Sequence, residues 1–453
     1  TDVASYTVYF NLNNPEHEIA KITPDEIQIM KNGGNEDGII LDGSRKMKPL
    51  KFLPDADLEE ADRLLVDLLV GNMTCPQGDR FLILSWLSCF LLIDFAGTRP
   101  MTRFEGSAGS GKTTASKITS TLLYGEPQHK KATDAANYTD GSQNPLIVLD
   151  NIEVKQMTED LTTFMLTSIT GIAKEKRKSG TDSETITERT KCLLNTTGIE
   201  PLCGELSEIL SRSFVINFDL ANQASDCFLE SEVISAIQQN RDLIISAIMK
   251  RTSHVLAMIR DGAQKQVMRL LHRTMPTHGK RRCNDYLSLM YLMMLAGSEE
   301  HEVTTGLEDL SPLFIEQIHS INDTSQEMAR ESNPIATALG SLFHAYRNAV
   351  ELDEKARYGE DDRANHVVGF IERYQVRFEN ENTMEPVSAG RLLAALRRVG
   401  REFNLEFEYK KPAQLGRRIS NDLDVIRDAG FDIDRQRNAH TKNFEYRICH
   451  KSR

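Results

Sequence analysis

Gly106-Ser107-Ala108-Gly109-Ser110-Gly111-Lys112-Thr113 decides how this chain is read. The stretch fits G-x-x-x-x-G-K-[ST], whose glycines let backbone N–H groups wrap around a phosphate chain. Lys112 is placed to reach the β- and γ-phosphates, and Thr113 to hold Mg²⁺, with Thr114 beside it. An extended run, Pro100 to Phe104, precedes the loop, and a helix-compatible run, Thr114 to Tyr124, follows it. The positive end of that helix then faces the same anion. This context favours a phosphate loop over a chance Gly/Ser turn, with ATP and Mg²⁺ as the expected ligands.

Working outward, strands and helices alternate from Pro100, as in an α/β domain with a parallel sheet. Pro145 to Asp150 is an apolar run ending in an acid. It reads as a buried central strand with a carboxylate at its C-terminal end, where ligands sit in such sheets. Asp150 suits the Mg²⁺-side carboxylate of a loop NTPase. The next residue, Asn151, stands where hydrolytic ATPases usually carry a Glu, and it cannot act as a base. Glu153 is the nearest carboxylate; it serves equally as a helix N-terminal acid. A second apolar strand, Cys192 to Leu194, ends at Asn195. Asn195, or Thr196 or Thr197 after it, can reach the γ-phosphate or the attacking water; Asn195 as a plain turn residue is the alternative. Helix Glu205–Leu210 and a last strand, Phe214–Phe218, follow. With a weak strand near 130–133 the sheet has five candidates.

Arg212 precedes the last strand. An Arg there can enter a neighbouring subunit's nucleotide site and supply transition-state charge, or stay on its own surface. Lys174, Lys176, Arg177 and Lys178 form a basic run. It is either a solvated face or a hairpin tracking a phosphate backbone. Arg281-Arg282 opens a helix, the unfavourable end for a cation; phosphate sensing by Arg282 is one reading, and a pair with no such role is the other.

The 453 residues imply about three domains. A net charge of −12 gives no global basic field, so any nucleic acid must be held by local basic elements. Seven scattered cysteines without metal spacing read as reduced thiols. The most apolar run, Phe81 to Phe95, is too short to span a bilayer and reads as part of a buried helix, Asp79–Ala96. Without a signal-peptide pattern, a cytoplasmic protein with no membrane partner is expected. The expected organisation is a small β-rich module at 1–55 and a helical lead-in at 56–98. An α/β P-loop core at 99–222 and a helical lid and linker at 223–384 follow. The last segment, 385–453, carries fifteen Lys and Arg against ten Asp and Glu. Its helices, Ser388–Phe403 and Gln414–Asp428, and a closing hairpin read as a winged-helix domain.

These elements, in this order, resemble the AAA+ ATPases. Within that class the chain is similar to minichromosome-maintenance (MCM) helicases, through Ile172-Ala173-Lys174 and Ser211-Arg212-Ser213-Phe214. It looks most like the MCM-like ATPases of bacterial phages, plasmids and genomic islands. That likeness rests on Asp150-Asn151, Thr170-Gly171, Arg177, Thr181-Asp182-Ser183-Glu184, Gly198-Ile199-Glu200 and Arg282-Cys283-Asn284-Asp285. The resemblance implies a homo-hexameric ring that threads single- or double-stranded DNA, as the replicative helicase of a mobile element. Lys112, Thr113, Asp150 and Asn195 would serve one subunit's ATP, and Arg212 the neighbour's. Ser179-Gly180 departs from the Leu-Tyr pair common in that branch. Two extra threonines before Gly198 make Thr197 an alternative to Asn195. The competing readings are an AAA+ remodeller or antiphage-defence ATPase acting on protein, and a nucleotide-gated scaffold with slow turnover.

Overall fold

The computed structural model describes residues 1–128, 134–177, 185–190, 192–199, 207–223, 229–274, 283–297, 311–320, 333–358, 365–403, 405, 409–438 and 444–451. They form two compact units, Thr1–Pro201 with Glu208–Asn322, and Leu202–Ser207 with Asp323–Arg453.

The first unit is built on a parallel sheet of β4 (Met101–Glu105), β5 (Leu146–Leu149), β8 (Leu193–Gly198) and β9 (Ser213–Asn217). Its order is β5-β8-β4-β9. Four strands are therefore present among the described residues, and the weak candidate at 130–133 lies outside them. The register puts Thr102 beside Asn195 and Glu105 beside Gly198, while Asn195 also pairs with Val148. Strand β8 runs three residues beyond the Asn195 end expected from sequence. Asn195, Thr196 and Thr197 are all buried within it.

Helix α3 (Lys112–Tyr124) begins directly after the glycine-rich loop. It buries Ala115, Ile118, Leu122 and Leu123 in the core. Its C-terminal carbonyls would be orphans. Arg241 meets them, donating to the carbonyls of Leu122 at 3.0 Å and Leu123 at 2.6 Å. Arg241 comes from the 31-residue helix Glu230–Arg260. That helix passes Thr252 and Ser253 without a break. It continues because Thr252 Oγ1 donates to the Ile248 carbonyl at 2.8 Å and Ser253 Oγ to the Thr23 carbonyl at 2.6 Å. Both hydroxyls are thereby satisfied without ending the helix.

The N-terminal strands β1 (Val8–Asn11), β2 (Glu18–Ile22) and β3 (Ile27–Lys31) form an antiparallel sheet. The Glu18–Ile22 strand is not legible in the sequence, and Ile39–Leu41 is irregular. Val8, Leu12, Ala20 and Ile22 share one continuous core with Trp86, Phe104 and Ile244. The apolar run around Phe81–Phe95 is a helix only over Gln77–Ser88. Two short 3-10 turns, Cys89–Leu91 and Ile93–Phe95, carry on from it. No described helix is long and apolar enough to cross a membrane.

Among the described residues, the second unit packs five helices on an antiparallel sheet. The helices are Pro334–Tyr358, His366–Tyr374, Ala389–Glu402, Pro412–Asn421 and Leu423–Asp428. The sheet contains β10 (Phe378–Asn380), β11 (Thr383–Ser388), β12 (Phe431–Arg437) and β13 (Phe444–His450), in the order β10-β11-β13-β12. Its core centres on Phe343, Phe378 and Phe431. The first two strands, and the break between the last two helices, are not legible in the sequence.

Candidate functional site

The parallel sheet gathers its polar residues at the C-terminal ends of β4, β5 and β8. Two glycines let the loop after β4 turn tightly into α3. Gly106 has φ +146°, and a Cβ there would collide with the Phe218 carbonyl; Gly111 has φ +95°, and a Cβ there would strike the Thr74 hydroxyl. Both positions demand glycine on conformation and on space. Thr74 Oγ1 donates to the Ser110 carbonyl, so the segment before α2 (Gln77–Ser88) braces the loop. Ser107, Ala108 and Gly109 form an exposed tip, whereas Ser110 is buried.

Lys112 is nearly buried at the start of α3. Its ammonium donates to the carbonyls of Gly106 at 2.6 Å and Ser107 at 2.7 Å, and to Ser110 Oγ at 3.2 Å. Burial lowers its pKa from the usual lysine value, and the nearby charge of Glu153 opposes that shift. The Thr113 hydroxyl lies 3.3 Å from Asp150 Oδ1. Thr197 Oγ1 donates to the same carboxylate oxygen at 2.7 Å and accepts the Asn151 N–H at 2.8 Å. Asn151 sits at φ +57° on an exposed turn. That left-handed geometry costs Asn less than most residues. The Ile152 N–H adds a bond to the Thr197 carbonyl at 2.8 Å.

Asn195 is placed differently. It is fully buried and sits two residues below Thr197 in β8. Its side chain accepts from Ser116 Oγ and donates to Thr102 Oγ1, both at 2.8 Å. Thr197, rather than Asn195, is therefore the β8 side chain on Asp150. Glu153 is buried, and its carboxylate accepts the Ile199 N–H at 2.8 Å. Thr114 Oγ1 donates to Glu230 at 2.5 Å, and Lys117 pairs with the same carboxylate at 2.7 Å.

Arg103 carries no signal in the sequence. It lies on β4 and is completely buried. Its Nε pairs with Glu105 at 3.1 Å, and one terminal nitrogen donates to the carbonyls of Ile152 at 2.8 Å and Thr197 at 2.9 Å. Burial lowers its pKa, against the opposing charge of Glu105. One guanidinium thus ties the loop strand to the Asp150 turn and to the end of β8. A Cβ on Gly198 would overlap it.

Arg212 is at the other end of the sheet. Met101 N–H donates to the Arg212 carbonyl at 3.2 Å, and Met101 pairs with Ser213 at the start of β9. The run of β4 from Met101 to Glu105 separates it from the loop, about 13 Å at strand rise. The basic run lies on β6 (Ala173–Arg177), which pairs antiparallel with β7 (Thr185–Arg189). Lys178 and Arg282 lie outside the described residues.

A glycine cradle, an ammonium at a helix N-terminus and a hydroxyl–carboxylate pair fit a Mg²⁺-bound nucleotide phosphate. Hard oxygen donors such as Thr113 and Asp150 suit Mg²⁺. Among the described residues no cluster of three His, Cys, Asp or Glu offers a different metal site.

No protein-family model and no curated protein matches the sequence. The fold is similar to that of a solved structure named "SCCmec type IV Cch - active helicase". The TM-score is 0.50 at 13% identity, over 97% of this chain and 78% of that one. A weaker likeness is to the apo NrS-1 C-terminal region (305-718), with TM-score 0.40 and 13% identity over 98% of this chain and 96% of that one.

Proposed function

We propose that this chain is an AAA+ ATPase that couples ATP hydrolysis to movement on DNA, as a helicase acting in a ring. The observation that carries the reading is the convergence of Lys112, Thr113, Asp150 and Thr197 at the mouth of the glycine-rich loop. The loop N–H groups and Lys112 would hold the phosphates, and Thr113 with Asp150 the Mg²⁺. The metal supplies charge neutralisation on the phosphates. Thr197 keeps the Asp150 carboxylate oriented, in the place the sequence offers to Asn195. Glu153 is the nearest candidate for orienting water, because Asn151 has no basic atom. The similar solved structure is that of an active helicase, which supports DNA as the track. A mobile-element replicative role follows the MCM-like resemblance.

The test is ATP hydrolysis by the purified chain with and without single-stranded DNA. Wild type should hydrolyse ATP faster on DNA, and Lys112→Ala should lose hydrolysis. Hydrolysis indifferent to DNA would favour a remodeller acting on protein. A second reading has its own support in Asn151: a nucleotide-gated scaffold with slow turnover. Turnover near zero with ATP-dependent assembly would favour it.

A further inference from the structure

Several cations of the C-terminal unit are neutralised. Arg418 pairs with Asp422 at 2.7 Å, Arg447 with Glu379 at 2.6 Å, Arg373 with Glu402 at 2.7 Å and Lys451 with Asp432 at 2.6 Å. Arg427 lies 3.7 Å from Asp432. So, of the three arginines on the helices Pro412–Asn421 and Leu423–Asp428, Arg418 and Arg427 are already occupied. Arg417 and Arg435 are exposed and have no ion pair among the described residues. Both line one cleft of about 700 Å³, with Ser420, Asn421, Phe444 and Tyr446.

The walls of the cleft come from different elements. Helix Pro412–Asn421 carries Arg417, and the β12–β13 hairpin carries Arg435 and Phe444. Arg435 is held over the Phe444 ring at 3.6 Å and donates to Ser420 Oγ at 3.3 Å. This fixes the guanidinium while its charge stays uncompensated. Phe444 remains 42% exposed. Among the described residues no carboxylate lines the cleft. Arg417 also borders a second hollow, lined by Tyr409, Gln414 and Asn421. One cation therefore stands between two hollows, each with an aromatic ring.

Paired guanidiniums select phosphate, and aromatic rings beside them select the flat faces of bases. Hollows on both sides of Arg417 suit a chain better than a compact anion. We propose that this cleft is a second nucleic-acid site, taking a backbone phosphate of single-stranded DNA on Arg417 and Arg435 with a base against Phe444. The proposal rests on the DNA reading above and adds a place on the molecule remote in sequence from the glycine-rich loop.

The experiment measures binding of a labelled oligothymidine to the full chain across a salt series. Arg417→Ala/Arg435→Ala should bind at least about tenfold more weakly. Its log–log salt slope should be shallower by about 0.7, the contribution of one phosphate contact on a single strand. Phe444→Ala should also weaken binding about tenfold, at unchanged slope, because stacking carries no counterion. Arg417→Lys/Arg435→Lys should restore the slope. Basal ATP hydrolysis should match wild type in every variant, which also reports folding. Equal affinity and slope in wild type and the alanine pair would overturn the cleft and leave the DNA reading standing. So would displacement of the strand from wild type by polyglutamate at lower charge concentration than by unlabelled DNA, which would mark a protein-binding cleft. A wild type that binds no DNA would overturn both readings.

Discussion

Arg103 and Glu105 occupy the strand that leads into the glycine-rich loop, two residues apart and so on one face of the sheet. Their charges are visible in the sequence, yet the run reads only as extended. Nothing local says what a buried guanidinium would bind, because its acceptors, Ile152 and Thr197, lie 49 and 94 residues away. The choice among Asn195, Thr196 and Thr197 stays open in the sequence for a related reason. The apolar run reads as a strand ending at Asn195, whereas tertiary pairing extends it to Gly198 and puts Thr197 on Asp150. The loop itself is legible, since its glycines, Lys112 and Thr113 are contiguous. The network gives a prediction within the proposed ATPase. Arg103→Lys keeps a charge for Glu105 but loses the planar fork that reaches Glu105 and the two carbonyls at once. ATP affinity should stay within a few-fold while turnover falls by about a hundredfold, the scale of a 1 Å misplacement at a reacting centre. Steady-state kcat and KM, with direct ATP binding, check this; unchanged kcat would show that Arg103 only fills space. Gly198→Ala should mimic the loss, because the new methyl displaces the same guanidinium.

Among the elements, those whose signals are local come through the sequence well. Asp57 caps the helix Leu58–Leu68, accepting the Glu59 and Glu60 N–H groups. Helix Lys112–Tyr124 covers the helix-compatible run Thr114 to Tyr124 and ends where that run ends. Elements with weak alternation or polar strand ends, such as Glu18–Ile22 and the end of β8, do not. The β6–β7 pair lies between these cases. Its backbone register sets Lys174 across from Glu188 and Arg177 across from Thr185. Within the proposed function, a basic run carried on a two-stranded ribbon would track a phosphate backbone. Replacing Lys174, Lys176, Arg177 and Lys178 with alanine should leave basal ATP hydrolysis intact and remove its stimulation by single-stranded DNA. Stimulation equal to wild type, measured at low and physiological salt, would reduce the run to a solvated face.

At the scale of the whole molecule, the parallel sheet separates two groups of candidate residues along its strands. The loop, Asp150 and Thr197 cluster at the C-terminal ends, and Arg212 lies at the N-terminal end beside Met101. With about 13 Å of strand between them, Arg212 is poorly placed to serve the phosphates of its own loop. The sequence could mark Arg212 as a candidate but not show this, because the distance depends on the parallel register of β4 and β9. If Arg212 acts on ATP, the ATP belongs to a second copy of the chain. Arg212→Ala should then bind ATP like wild type and hydrolyse it at least about a thousandfold more slowly, the lower range for an inserted arginine. Lys112→Ala should be inactive for a different reason, through its own loop. Mixing the two inactive proteins separates intersubunit from intrasubunit action. In a mixed ring, an intact loop on an Arg212→Ala subunit can face an intact Arg212 on a Lys112→Ala subunit. Hydrolysis should therefore reappear in the mixture and rise with ATP-dependent assembly followed by particle mass. A mixture as inactive as its components, despite co-assembly in one particle, would show that Arg212 does not act across the interface.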